Sequence, residues 1–331
     1  MTESSGRGVR NKGYRYYHQK AAHYVLYFLP CMILLIGCGG RKTVELPEAQ
    51  KEAVVLHQMA ENAINKGRYK VALKIMEDAL ILHSSIDDRN GETIDLINIG
   101  RIFLRIGQYE NAEDRFNRAL EIATSDKNDI MLSETYASIG KLHHLRGNNK
   151  QAIEVLEMAI GIDRKMGHSM LGSRLNLIGI AFSKEGRYDE ASGALKEALK
   201  INQGKGLEME VANSYRNFGD LFFEEKRQQE AKGYFIKALE IDKRRGDSLK
   251  IGADLKALAD IEIIESNFKD AIPLLERAYK VHLNAGMPEL AVENLDRLIA
   301  TYRELGDEGM VDIYQMERES LIDITERNRN D

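Results

Sequence analysis

The sequence predicts an all-α solenoid of tandem two-helix units, and three observations carry that prediction. A short frame returns about every forty residues: Gly67, Tyr69 and Ala72, then Gly107, Tyr109 and Ala112, then Gly147, Asn149 and Ala152, then Gly186, Tyr188 and Ala191. Its leading glycines are 40, 40 and 39 residues apart. The frame continues through Gln228 and Ala231, then Phe268 and Ala271, with Lys226 and Ser266 in place of the glycine. Small residues also recur seven positions before each turn (Ala60, Gly100, Gly140, Gly179, Gly219, Ala259) and seven after its alanine (Ala79, Ala119, Ala159, Ala198, Ala238, Ala278). A spacing of seven keeps a residue on one helix face, so these positions mark where paired helices approach. Composition agrees, since 331 residues with no Trp, four Pro and 30% charged residues favour helices over packed sheets.

Taken in order, the first element is an address. Residues 1–37 carry Arg7, Arg10, Lys12, Arg15 and Lys20 against Glu3, followed by an uncharged apolar run from Tyr24 to Gly37. That length suits a signal-peptide core and is short for a membrane-spanning helix. The run ends Leu35, Ile36, Gly37, Cys38, which resembles the bacterial lipobox. The resemblance implies cleavage before Cys38 and acyl chains on that cysteine, enough to anchor the protein stably. Residues 38–46 then form a lipidated N-terminus and short tether, and Pro47 with Glu48 opens the first helix. With Gly39 and Gly40 after the cysteine in place of Asp, the expected location is the outer membrane, facing the periplasm. The alternative is an uncleaved anchor in the inner membrane with a cytoplasmic body.

Residues 47–287 hold six units. Met76, Phe116, Leu156, Leu195, Phe235 and Leu275 fill the space between small residues, while Met59, Met158, Met166 and Met170 read as packing positions. Gly167, Gly206, Gly246 and Gly286 each follow the last small alanine by eight and read as caps ending the second helix. The pattern continues through Leu295, Leu298 and Tyr302 as a degenerate seventh unit, residues 288–325, which acts as a cap. Residues 326–331 read as a frayed tail.

This pattern resembles the tetratricopeptide repeat, in a form longer than the usual unit of about 34 residues. The resemblance implies an all-α, right-handed α-solenoid of tandem helix-turn-helix repeats that holds protein or peptide segments along its concave side. In that frame the wall facing a partner includes Asn98, Arg101, Arg105, Lys141, His144, Asn176, Lys184, Arg216 and Asn217. Asn98 and Asn217 match an asparagine that bonds the ligand backbone in related repeats, a role suited to an amide that both donates and accepts. Arg101, Arg105 and Lys141 would draw an acidic or polar extended segment.

Several classes are excluded. Both cysteines, Cys31 and Cys38, precede the body, so disulfides and thiolate metal sites have no residues there. No phosphate-binding glycine loop, nucleophile elbow or His-Glu-x-x-His helix occurs, and no catalysis is expected. His143 and His144 are adjacent on a helix, about 100° apart, and cannot share an ion. His143 reads as a satisfied interior residue. Neither metal nor cofactor is expected, and a net charge of −5 argues against nucleic acid. The expected role is therefore an anchored scaffold for an envelope machine, such as a pilus or secretion pore, an outer-membrane insertion complex or cell-wall enzymes. The rival is a regulatory sensor with a cytoplasmic body.

Overall fold

The computed structural model describes residues 47–330. The signal segment, Cys31, Cys38 and the 38–46 tether lie outside the described residues. Residues 47–330 form antiparallel helix pairs with no strand among them. The pairs are α1 (Glu48–Asn65) with α2 (Tyr69–Ser85), α3 (Arg89–Arg105) with α4 (Tyr109–Ser125), and α5 (Asp129–Leu145) with α6 (Asn149–Met166). They continue as α7 (Leu171–Lys184) with α8 (Tyr188–Gly204), α9 (Glu208–Glu224) with α10 (Gln228–Arg245), and α11 (Ser248–Ile264) with α12 (Phe268–Asn284). The seventh pair, α13 (Pro288–Leu305) and α14 (Glu308–Asn330), is complete, and α14 stays helical through 326–330. No described helix is long and apolar enough to cross a membrane.

The turns explain the punctuation of the sequence. Gly67, Gly107, Gly147 and Gly186 have φ between +69° and +79°, and where the frame replaces glycine, Lys226 and Ser266 are held at +59° and +62°. The turn geometry therefore persists at a backbone cost that glycine would not carry. Asp88, Asn128 and Asp247 start α3, α5 and α11 by accepting the backbone N–H of Gly91, Met131 and Lys250.

Within each unit the small residue of the first helix is a socket for a large side chain of the second. A Cβ added at Gly100 would lie 2.4 Å from the Phe116 ring, at Gly140 2.6 Å from Leu156 Cγ, and at Gly179 2.7 Å from Leu195 Cδ2. Phe116, Leu156 and Leu195 are almost wholly buried as a result. The methionine reading needs correction: Met76 is buried, but Met59, Met158 and Met166 are exposed, on helix faces that no neighbouring unit covers.

First helices of successive units also touch, α3 with α5, α5 with α7 and α7 with α9, and no contact of similar extent joins successive second helices. The array is therefore tighter along its first helices, which line its inner side.

Candidate binding groove and the junctions beneath it

The inner wall is built from polar residues of the first helices, and most of them bond to the next unit. Arg101 of α3 donates to Glu134 of α5 at 2.7 Å, and Arg174 of α7 donates to the other oxygen of Glu134 at 2.5 Å. Burial alone would raise the Glu134 pKa, but Arg174 and Arg101 hold it down at about 2. Farther along, Lys184 pairs with Glu224 at 2.6 Å, Arg216 with Asp254 at 2.6 Å, and Arg297 with Asp260 at 3.0 Å. One carboxylate or cation thus ties each first helix to its neighbour.

This ladder corrects several of the sequence expectations. Arg101 is committed to Glu134, and Lys184 to Glu224, because the neighbouring helix supplies a carboxylate within reach. Arg216 is held by both Asp254 and Asp242 below the groove surface. Asn176 is only 4% exposed and donates to the Glu210 carbonyl, so it faces the next unit and no partner could reach it. His144 pairs with Asn149 across its own turn. His143 is half-buried with no partner for Nδ1, and burial lowers its pKa, so it is not the satisfied interior group expected.

What remains open is a smaller set. Asn98 and Asn217 are half-buried with no hydrogen bond among the described residues, and Arg105 and Lys141 are exposed with no ion partner there. Lys141 is open to solvent, yet the walls of the groove strip part of its hydration. That loss, followed by the charges of Arg105, Arg101 and Lys250, lowers its pKa. Lys250, on α11 three units away, was not foreseen; the coil of the array brings it toward Lys141. One residue after each socket, the inner column reads Glu61, Arg101, Lys141, Ile180, Asp220 and Asp260. The groove is thus basic at its second and third units and acidic at its fifth and sixth. Loss of hydration raises the Asp220 pKa to about 6, against the pull of Arg216 and Lys184.

Beneath the groove, each junction between units holds a triad at fixed register. Its members lie three residues before the socket of a first helix, four after the small residue of the second, and five before the socket of the next first helix. The triads are His57, His83 and Asp95; Ala137, Asp163 and Arg174; Asn176, Asn202 and Ser214; Arg216, Asp242 and Asp254; and Lys256, His282 and Asn294. The junction between the second and third units holds Ile97, Ala123 and Thr135 instead. Asn202 donates to Ser214 Oγ at 3.3 Å, and Asn294 Nδ2 lies 2.9 Å from His282 Nδ1. Except for His57, Arg216 and Lys256, all side chains in the five polar triads are buried. No motif announces them, but aligning the units on their sockets would have found them.

These features define an α-solenoid of stacked helix pairs with a polar inner groove. Tetratricopeptide repeat models match residues 51–125, 96–165, 169–244 and 210–284, and the chain belongs to the tetratricopeptide repeat family. A human cell division cycle protein 16 homolog is 29% identical over 121 residues, 35% of this chain; the match spans only 18% of that relative. Among solved structures, aspartyl phosphate phosphatase F from Bacillus subtilis superposes with a TM-score of 0.60 at 13% identity, covering 82% of this chain and 70% of the other. A Rap protein complexed with competence and sporulation factor gives 0.57 at 15% identity, covering 78% of each chain. At such identities the likeness is one of fold.

Proposed function

We propose that this chain is a membrane-anchored scaffold that holds an extended protein segment in its inner groove, with Cys38 as its lipid attachment and an envelope machine as its setting. The observation that carries the binding role is the inner wall itself. Arg101, Lys184, Arg216 and Asp260 are each paired to a neighbouring unit, while Arg105, Lys141, Asp220, Asn98 and Asn217 are left toward the groove. The amides suit an extended backbone. The split of charge suits a segment that is acidic where it meets Lys141 and basic where it meets Asp220, and such complementarity fixes direction and speeds encounter. The Rap protein solved with its factor supports ligand binding by an array of this fold.

The test is affinity capture from membranes with the whole chain. Arg105→Glu with Lys141→Glu should reduce recovery of the native partner at least tenfold and flatten its salt dependence, with helicity unchanged. Asp220→Lys should disturb the other end of the same partner. Cys38→Ala should release the protein from membranes without altering what the released protein captures. Unchanged capture by the double reversal would turn attention from the groove to the outer face.

A further inference from the structure

The first junction differs from its counterparts in how a buried carboxylate is matched. At the third junction Asp163 lies 3.6 Å from the Arg174 guanidinium, and at the fifth Asp242 and Asp254 share Arg216. At the first, Asp95 is wholly buried and forms no ion pair with Lys or Arg among the described residues. Two imidazoles take that place: His57 Nε2 lies 2.5 Å from Asp95 Oδ1, and His83 Nδ1 lies 2.6 Å from Oδ2. A buried carboxylate is costly unless paired, and a neutral imidazole offers only a hydrogen bond.

The three groups come from three consecutive helices, α1, α2 and α3, and one ligand atom from each lies within 4.8 Å of the others. Gly91 makes this possible, since a Cβ there would fall 2.4 Å from the His83 ring. Asp95 and His83 are closed off, but the His57 side chain is 28% exposed, which leaves a path for an ion and for water in an open position. Two imidazoles and a carboxylate form a borderline set suited to Zn²⁺ and its neighbours and poor for Ca²⁺ or Mg²⁺.

The geometry points to His57, His83 and Asp95 as a divalent transition-metal site, Zn²⁺ above all, that clamps the first unit to the second. The facing nitrogens would give up the protons they now share with Asp95. Each ring keeps one proton on its other nitrogen, and any further proton goes to solvent. Ligand atoms about 2.1 Å from a tetrahedral ion stand roughly 3.4 Å apart, so each imidazole nitrogen must back away from the Asp95 oxygen it faces by less than 1 Å. His57, the partly exposed member of the three, can shift to allow this.

The test uses the whole chain, freed of metal by chelation and titrated with ZnCl₂. One equivalent should bind in the micromolar range or tighter, raise Tm, and leave again with chelator. Co²⁺ in its place should give the visible absorption of a low-symmetry site. His57→Gln, at a partly exposed position that preserves the fold, and Asp95→Asn, which preserves shape, should each weaken Zn²⁺ at least tenfold, with helicity verified by circular dichroism. Substituting His143, His144 and His168 together should leave binding intact. No stoichiometric Zn²⁺, or binding that survives both His57→Gln and Asp95→Asn, overturns the assignment and leaves a proton-bridged pair. Neither result bears on the groove, whose test uses other residues.

Discussion

Arg216→Met is expected to destabilise the array by about 3–5 kcal/mol at neutral pH, because it removes the guanidinium that bonds both Asp242 and Asp254 in a buried junction. Both carboxylates are essentially inaccessible. Even with the arginine present, burial raises the Asp254 pKa to about 6, with Arg216 opposing the rise. The sign of the pH dependence follows. A carboxyl whose folded-state pKa is raised contributes stability that is full below its ordinary value near 4 and is lost as pH rises through 6. Removing the guanidinium pushes both groups further in that direction, so the deficit of Arg216→Met should be largest near pH 8 and shrink steadily toward pH 5. Urea midpoints across that range provide the measurement. Adding Asp242→Asn and Asp254→Asn to the variant should recover most of the loss at pH 8. A midpoint that does not move, or a deficit that grows on acidification, would mean the junction is wetter than its geometry indicates.

Gly140→Leu is the second large effect, at about 3 kcal/mol. Even a Cβ at that position meets Leu156 Cγ at 2.6 Å, and the rest of a leucine would have to push α6 away from α5. Gly179→Leu meets Leu195 in the same way and should cost a similar amount. Glu197→Ala is the contrast: its ion pair with Arg164 leaves both side chains roughly half exposed, and its loss should cost under about 1 kcal/mol. Because a repeat array can unfold in stages, these effects are best read as shifts in urea midpoint and in local amide exchange around α5 to α8. Equal tolerance at all three positions would contradict the socket assignment.

The sockets were legible because they repeat. Gly100, Gly140, Gly179 and Gly219 stand at one register in successive units, and a residue type that returns at the period of the fold shows its face. The same is true of the turn glycines, and the geometry forced on Lys226 and Ser266 shows that the frame holds where the residue type does not. The groove was legible only in outline. The expectation named Arg101, Lys141 and Asn98 for the groove wall, but pairing is decided by what the next unit offers 33 to 40 residues later. Thus Arg101 reaches Glu134, and Arg216 is drawn under the surface by two acids. Asn176 looks in the sequence like any solvated amide. Its burial follows from sharing a register with the buried Ile97 and Ala137, which becomes visible only when whole units are overlaid. Lys250 was out of reach for another reason: its approach to Lys141 depends on how far the array coils, which local spacing does not encode.

The uneven chemistry of the junctions bears on how such an array can change length. If residues 168–206 were excised to drop one whole unit, the turns and sockets would still match, since every unit offers the same ones. The mating surfaces would not. Asp163 would face Ser214 in place of Arg174, and Glu134 would lose one of the two guanidiniums that hold it ionised. A duplicated fifth unit would meet the opposite difficulty, seating Asp242 against Ser214 and leaving one copy of Arg216 without Asp254. Each unit is keyed to its own neighbours, so this chain cannot grow or shrink by copying a module. It must alter both sides of a seam together.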